Sequence, residues 1–219
     1  MSELGLRERK KQQTRQVIAE TAHRLFRERG FDAVTVAEVA READVAEKTV
    51  FNYFPTKEDL FYSRLESFEA QLLDAIRDRD PGETVVAAFG RFVLEPRGLL
   101  AEKRGSDARE AAEALRAITR VITESPALLA REQQVFARYT DSLAAVIAEE
   151  TDAAAGDVEP WVVANALMGV HRALIDYVRQ RLLAGAVTPA RLARDVRAQG
   201  EQALKLLERG LGRYAAKRR

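Results

Sequence analysis

The chain has 219 residues, of which 47% are hydrophobic, enough to bury the core of one or two domains. Its 35 basic and 34 acidic side chains leave a net charge of +1, which excludes nucleic-acid binding through bulk positive charge alone. The absence of cysteine excludes disulfide and thiolate chemistry, and neither a signal peptide nor a membrane-spanning apolar run of ~18–20 residues is visible. We therefore expect a soluble, cytoplasmic protein without a membrane partner.

The first predicted element is a helix from Thr14 to Arg29, preceded by a mobile, basic leader. Thr14 is a suitable N-cap, and apolar residues recur at helical spacing along the stretch RQVIAETAHRLFRERG. Gly30 directly follows Arg29 and is a suitable C-cap.

Two short helices around a sharp corner come next, at 36–43 and 46–54. The first follows an N-cap at Thr35, and the second turns Val50 and Phe54 (i, i+4) inward. Only Asp44 and Val45 separate the two helices, and Asp tolerates the left-handed or bridge backbone of a tight corner. This arrangement predicts a helix-turn-helix, whose second helix fits the DNA major groove.

The remaining chain is predicted to be helical as well. Thr56 caps a long helix to about Arg79, and the later breakers contain proline and glycine. No alternating apolar run is long enough for a strand. The predicted fold class is all-α with about nine helices, in two domains at 1–55 and 56–219. A loop is expected at 96–106, and further helices are expected at 83–94, 107–124, 127–151, 159–184 and 189–216.

At this point the chain resembles the tetracycline-repressor (TetR) family of bacterial regulators. The resemblance covers about residues 12–62 and rests on Thr35 and on the stretches AREADV (40–45), KTVFNYF (48–54) and KEDL (57–60), in this order and spacing. It implies a three-helix helix-turn-helix head and a helical body for ligand binding and dimerisation. Many members have Gly at the position of Asp44, Ser at Ala46 and Tyr at Phe51. The side-chain cap and a phosphate-contacting hydroxyl are therefore missing here.

Candidate DNA contacts follow from the helix-turn-helix. Lys48 and Asn52 lie one turn apart on the face away from Val50 and Phe54, where they suit guanine and adenine edges; the alternative is an ordinary solvated face. For two phosphate candidates, Thr35 and Tyr53, other roles also stay open. Thr35 could be a plain N-cap, and Tyr53 could pack internally. The basic run at 9–11 is an arm for the minor groove or a solvated leader. Secondary base contacts are predicted at Glu47 and Thr49, although Glu47 could instead only repel the DNA backbone from a wrong register. Phosphate contacts are predicted at Thr35 and Tyr53, and the resemblance implies one at Lys57 as well.

The body carries no recognisable catalytic set. The only histidines, His23 and His171, have no carboxylate or second histidine at metal-ligand spacing, and there is no glycine-rich phosphate loop, so we expect neither an enzyme nor a cofactor or metal. Aromatic residues and one histidine could line an effector pocket, although a place in the core is the default interpretation for each of them. These candidate ligand-binding residues are Phe89, Phe92, Phe136, Tyr139, Trp161, His171 and Tyr177.

The helices at 159–184 and 189–216 have long apolar faces, which either complete the monomer core or, as the resemblance implies, form an intersubunit four-helix bundle. The sequence therefore predicts a homodimeric DNA-binding regulator, a repressor that releases its operator when a small molecule binds the body. The helix from Thr56 to Arg79 would be the lever between head and body. The alternative is a helical ligand-binding or interaction protein without specific DNA binding, because residues 30–60 carry a net charge of −4.

Overall fold

The computed structural model describes residues 5–63, 66–95, 105–185 and 188–211, and all regular structure in these ranges is helical. The all-α prediction is confirmed, and no helix in the described ranges is long and apolar enough to cross a membrane. The helices are α1 (Leu6–Arg29), α2 (Val36–Glu42), α3 (Glu47–Tyr53), α4 (Lys57–Tyr62), α5 (Glu66–Arg77), α6 (Val85–Val93), α7 (Gly105–Glu124), α8 (Pro126–Glu150), α9 (Glu159–Leu183) and α10 (Pro189–Leu211).

Helix α1 begins eight residues earlier than the sequence predicts, at Leu6 rather than Thr14. Thr14 is no N-cap, since its hydroxyl donates to the carbonyl of Lys10 at 3.0 Å inside the helix. The mobile leader is therefore a wrong prediction for residues 6–13. The stretch LRERKKQQ consists of strong helix formers without Gly or Pro, so nothing in it stops the helix from extending to Gly5.

The predicted lever helix at 56–79 is described as two helices, α4 and α5. Thr56 caps α4 as predicted, because its hydroxyl accepts from the amide of Asp59 at 3.0 Å. Residues 64 and 65 lie outside the described ranges, as do 96–104 of the predicted loop and 212–216 of the predicted last helix. Helix α7 already includes Gly105 and Ser106, which the sequence assigned to the loop.

The chain forms two compact units that are discontinuous in sequence. The first comprises Met1–Glu66 and Arg120–Arg131, and the second comprises Ser67–Thr119 and Glu132–Arg219. Helices α7 and α8 therefore each contribute residues to both units. The domain boundary after residue 55 stays a prediction.

Three phenylalanine rings lie at the centre of the first unit. Phe26 is 5.1 Å from Phe31 and 5.8 Å from Phe61 between ring centroids, and Phe31 meets Phe61 edge-on at 5.7 Å. All three side chains are buried, together with Ile18 and Ala22 of α1. Burial of these rings holds α1 against the end of α4, which positions the short helices between them.

The corner between α7 and α8 is attached to the same unit by polar contacts. The hydroxyl of Tyr62 donates to the carbonyl of Leu128 at 3.1 Å. The hydroxyl of Ser125 donates to the carboxylate of Asp32 at 3.1 Å, and an ion pair joins Arg131 to Asp59. These contacts hold the α7–α8 corner against the N-terminal helices.

The second unit has a main apolar core and a smaller second cluster, and α10 approaches α6 and α9 closely. A Cβ atom on Gly90 would lie 2.7 Å from Leu204, and one on Gly200 would lie 2.5 Å from Leu94. The two glycines therefore allow close helix packing. Fully buried members of the main core include Leu72, Ile76, Val86, Phe89, Leu143, Ile147 and Leu167.

Candidate nucleic-acid interface and effector site

Helix α2 begins at Thr35 with a capping box. The Thr35 hydroxyl oxygen accepts from the amide of Glu38 at 3.2 Å, and the Glu38 carboxylate accepts from the Thr35 amide at 2.8 Å. Arg29 of α1 donates to the other Glu38 oxygen at 2.8 Å. The Thr35 amide, the Arg29 guanidinium and the Thr35 hydroxyl together lower the pKa of Glu38 from 4.5 to about 2.

The predicted phosphate contact of Thr35 must compete with this box. The Thr35 hydroxyl also donates to Glu38 at 2.9 Å, so both its donor and its acceptor capacity are used. A negative carboxylate beside the amides of α2 opposes an approaching phosphate. The N-cap role of Thr35 is confirmed, and its phosphate contact stays a prediction.

The corner between α2 and α3 has the backbone that the sequence predicts. Asp44 is in the left-handed region with φ of 53°. The amide of Val45 donates to the carbonyl of Ala40 at 3.0 Å, which closes the end of α2. Ala46 stands at the N-cap of α3 without a side-chain hydrogen bond, as expected from the missing Ser.

Helix α3 presents one polar face. Val50 and Phe54 are each 1% exposed and anchor the opposite face, while Lys48 and Asn52 point to solvent. Within the described ranges neither Lys48 nor Asn52 has a hydrogen-bond or ion-pair partner, and neither is held by another residue. The arrangement leaves one ammonium and one carboxamide, a turn apart, available for an external partner.

The other predicted DNA contacts differ in exposure. Glu47 is exposed, whereas Thr49 and Tyr53 are half-buried on the flanks of α3, which leaves both interpretations of Tyr53 open. Lys57 is half-buried at the start of α4, with its Nζ 4.1 Å from the ring centroid of Phe31. Desolvation lowers the pKa of Lys57. Its ammonium is therefore held in place by an aromatic ring rather than mobile in solvent.

Ion pairs account for part of the acidic excess of residues 30–60. Glu38 pairs with Arg29, Glu42 pairs with Arg24 at 3.1 Å, and Asp59 pairs with Arg131. These pairs place the carboxylates beside arginines of α1 and α8. The first unit as a whole has 14 basic and 13 acidic side chains, so it is nearly neutral rather than acidic.

Four of the seven predicted effector residues come together around a ring that the sequence reading missed, Phe68. His171 stacks on Phe68 with centroids 4.8 Å apart and an interplanar angle of 16°, and Tyr139 stacks on it at 5.4 Å. Phe92 meets Phe68 edge-on at 5.3 Å, and Phe136 lies 5.7 Å from His171. We call these five residues the ring cluster.

The ring cluster keeps His171 uncharged. Burial lowers the pKa of His171 from 6.5 to about 4, so the imidazole is neutral at pH 7. Within the described residues neither ring nitrogen has a hydrogen-bond partner. A neutral, unpaired imidazole among rings suits an apolar ligand with one polar group.

The other three predicted effector residues lie elsewhere in the second unit. Phe89 is fully buried in the main core, and Tyr177 packs against a second core cluster around Leu174. Trp161 is 55% exposed, and its indole N–H donates to Asp141 at 3.4 Å. The effector role of all seven residues stays a prediction, and the geometry favours the four in the ring cluster.

Comparison with known proteins agrees with the geometry of the head. Residues 18–63 match the family model described as bacterial regulatory proteins, tetR family, and residues 100–218 match the model described as the MftR C-terminal domain. The second match covers more than half of the chain. The chain belongs to the TetR family. The predicted resemblance, which covered residues 12–62, is confirmed.

Curated relatives of this TetR-family chain include two named regulators. The HTH-type transcriptional regulator TcmR of Streptomyces glaucescens is 30% identical over 66% of this chain and 63% of its own length. The putative mycofactocin biosynthesis transcriptional regulator MftR of Mycobacterium tuberculosis is 28% identical over 74% of this chain and 78% of its own. The match thus spans less than two thirds of TcmR.

Solved structures show the same fold. Salmonella enterica GusR aligns with 91% of this chain and 95% of its own, at a TM-score of 0.53 and 18% identity.

The sequence did not predict two contacts of this TetR-family chain that are centred on aromatic rings. They are those of Phe68 in the ring cluster and of Phe31 beneath Lys57. Phe68 was visible in the apolar stripe of its helix, but no local signal distinguished it from an ordinary core residue.

Proposed function

We propose that this TetR-family chain is a homodimeric DNA-binding repressor that leaves its operator when a small molecule binds the second unit. The observation that carries the proposal is the outward face of α3. Lys48 and Asn52 stand free there on a helix anchored by Val50 and Phe54. Because such a repressor acts on DNA, we expect the protein in the cytoplasm.

The chemistry of α3 matches base edges in the major groove. Lys48 can donate to the O6 and N7 atoms of guanine, and Asn52 can bond the N6 and N7 atoms of adenine. We expect Tyr53, at the end of α3, and Lys57, at the start of α4, to contact phosphates and set the register of α3 on DNA. Because the first unit is nearly neutral, affinity must depend on these few oriented groups.

A two-fold dimer doubles the few contacts that one short helix offers. Its half-sites would lie one helical turn, ~34–36 Å, or a multiple of that apart. Support for the dimer comes from exposed apolar side chains on the last two helices and at the N-cap of α9, each at least half exposed. They are Val158, Trp161, Val162, Leu183 and Leu206.

The ring cluster is the proposed effector site. Rings supply apolar area, and the neutral imidazole of His171 supplies one hydrogen-bonding group. A ligand shifts the chain towards a non-binding conformer only by its difference in affinity for the two conformers, typically ~1–3 kcal/mol.

Three covalent routes connect the effector site with the head. The predicted route runs through the α4–α5 segment. Two further routes are α7 and α8, because each of them extends from the α7–α8 corner into the second unit. We propose that all three transmit the effector signal.

The test is a fluorescence-anisotropy titration of the full chain against the intergenic DNA upstream of its own gene, at physiological salt. The wild-type chain should bind this DNA more tightly than unrelated DNA of equal length. Lys48→Ala should cost about 1–3 kcal/mol per half-site, with unchanged helicity and dimerisation. Lys205→Ala, which removes an exposed lysine of α10, is the matched control and should bind like the wild type.

Equal affinity of the wild type for both DNAs would favour the alternative, a helical ligand-binding or interaction protein without specific DNA binding. The near-neutral charge of the first unit is the observation behind that alternative. Specific binding that Lys48→Ala leaves intact would instead contradict the role of α3.

A further inference from the structure

Helix α3 carries one apolar side chain, Phe51, that the rest of the chain leaves partly exposed. Phe51 is 43% exposed, although its neighbour Val50 is almost completely buried. Scattered exposed apolar residues are common on protein surfaces. The position of Phe51 on α3, beside the proposed base-reading residues, makes its exposure informative.

The helical geometry places Phe51 at the edge of the reading face. At 3.6 residues per turn, Lys48 and Asn52 lie about 40° apart, and Phe51 lies about 60° from Lys48 on the side away from Asn52. Within the described ranges the phenyl ring has no aromatic or cationic partner. The ring therefore borders the groove that Lys48 would enter and is free to contact a base edge there.

Only one group in the major groove of DNA matches a phenyl ring. Each base edge presents hydrogen-bond donors or acceptors, which an apolar ring would leave unpaired, and thymine alone adds a 5-methyl group. A tyrosine at this position could instead bond a phosphate through its hydroxyl, but Phe51 has none. The chemistry thus favours an apolar contact with a base.

We propose that Phe51 reads the 5-methyl group of one thymine in each half-site, next to the base pair contacted by Lys48. Phe51 is then a specificity-determining residue, which favours thymine over the three other bases at that position. The proposal rests on the DNA-binding function proposed above.

The experiment compares thymine with deoxyuridine, which differs from it only by the methyl group. Binding sites are first selected from random-sequence duplexes with the full-length chain, and each thymine is then replaced in turn by deoxyuridine. At one position per half-site, we expect about fourfold weaker binding, which corresponds to the burial of one methyl group, and about 15-fold when both half-sites are changed.

Variants connect the effect to the ring. Phe51→Ala should bind thymine and deoxyuridine equally at that position while keeping the preference at the base pair assigned to Lys48. Phe51→Leu should retain much of the thymine preference, because it keeps an apolar side chain. Val17→Ala, which shortens an apolar residue of α1 with the same 43% exposure, is the control and should discriminate like the wild type.

Two results would overturn the Phe51 proposal and leave the DNA-binding function standing. They are selected sites without any methyl-sensitive thymine, and full methyl sensitivity in Phe51→Ala. Because the wild-type comparison needs no substitution, a folding defect in a variant does not affect the first of these results. A wild-type chain that selects no sequence from the pool would instead overturn both this proposal and the DNA-binding function.

Discussion

The neutral imidazole of His171 should make the second unit sensitive to acid. Its pKa in the folded chain is about 4, against 6.5 for an exposed histidine, because the ring cluster removes it from water. Between these pH values the unfolded chain binds a proton that the folded chain does not. Stability therefore falls as pH falls through this interval, is unaffected above it, and changes no further below it.

The magnitude follows from the two pKa values. Each pH unit in the interval costs about 1.4 kcal/mol, so the loss at pH 4.5 relative to pH 7.5 should be about 2.5 kcal/mol. The substitution His171→Gln removes the titrating group. The free energy of unfolding in urea, measured at both pH values, should fall by about 2.5 kcal/mol more in the wild type than in the variant.

Proton NMR checks the cause directly. The chain has only two histidines, so the C2–H signals of His23 and His171 can be assigned with His23→Gln and His171→Gln. The His171 signal should not titrate above about pH 5. A His171 signal that titrates near 6.5, or equal acid sensitivity of wild type and His171→Gln, would refute the reasoning from burial in the ring cluster.

Three further predictions concern stability and assembly. Arg79 is 2% exposed, donates to the Ile76 carbonyl at 2.7 Å and pairs with Glu150 at 2.5 Å, so Arg79→Met should lower the free energy of unfolding by about 3–5 kcal/mol. Arg91 is 58% exposed and pairs with Glu83, so Arg91→Met should lower the free energy of unfolding by about 1 kcal/mol or less. Equal costs of Arg79→Met and Arg91→Met would contradict the role of burial. Because the pKa of Glu38 is lowered to about 2, the wild type should lose more stability than Glu38→Gln as pH falls from 4.5 towards 2; parallel acid-unfolding curves would count against the capping box. Val162→Lys should convert the dimer to monomer in sedimentation-velocity runs while Val17→Lys should not, and a dimeric Val162→Lys chain would exclude that face of α9 as the interface.

The sequence predicts the head well because its defining interactions are local. The cap at Thr35, the left-handed corner at Asp44 and the inward pair of Val50 and Phe54 each depend on residues within about four positions of one another. Helical periodicity and turn chemistry record such contacts directly. The exposed face of α3 follows from the same periodicity.

Where a local pattern misled, a competing local preference decided the outcome. Thr14 looked like an N-cap, but the strong helix formers before it extend α1 to Leu6.

The sequence alone determined the helical class, the helix-turn-helix and the outward pair Lys48 and Asn52. The tertiary structure decided which aromatic residues meet Phe68, that Trp161 points to solvent, and that the pKa of His171 is low. These properties depend on contacts between helices far apart in the chain. Helical periodicity marks an apolar face, but only packing determines what that face contacts and which polar groups lose their water.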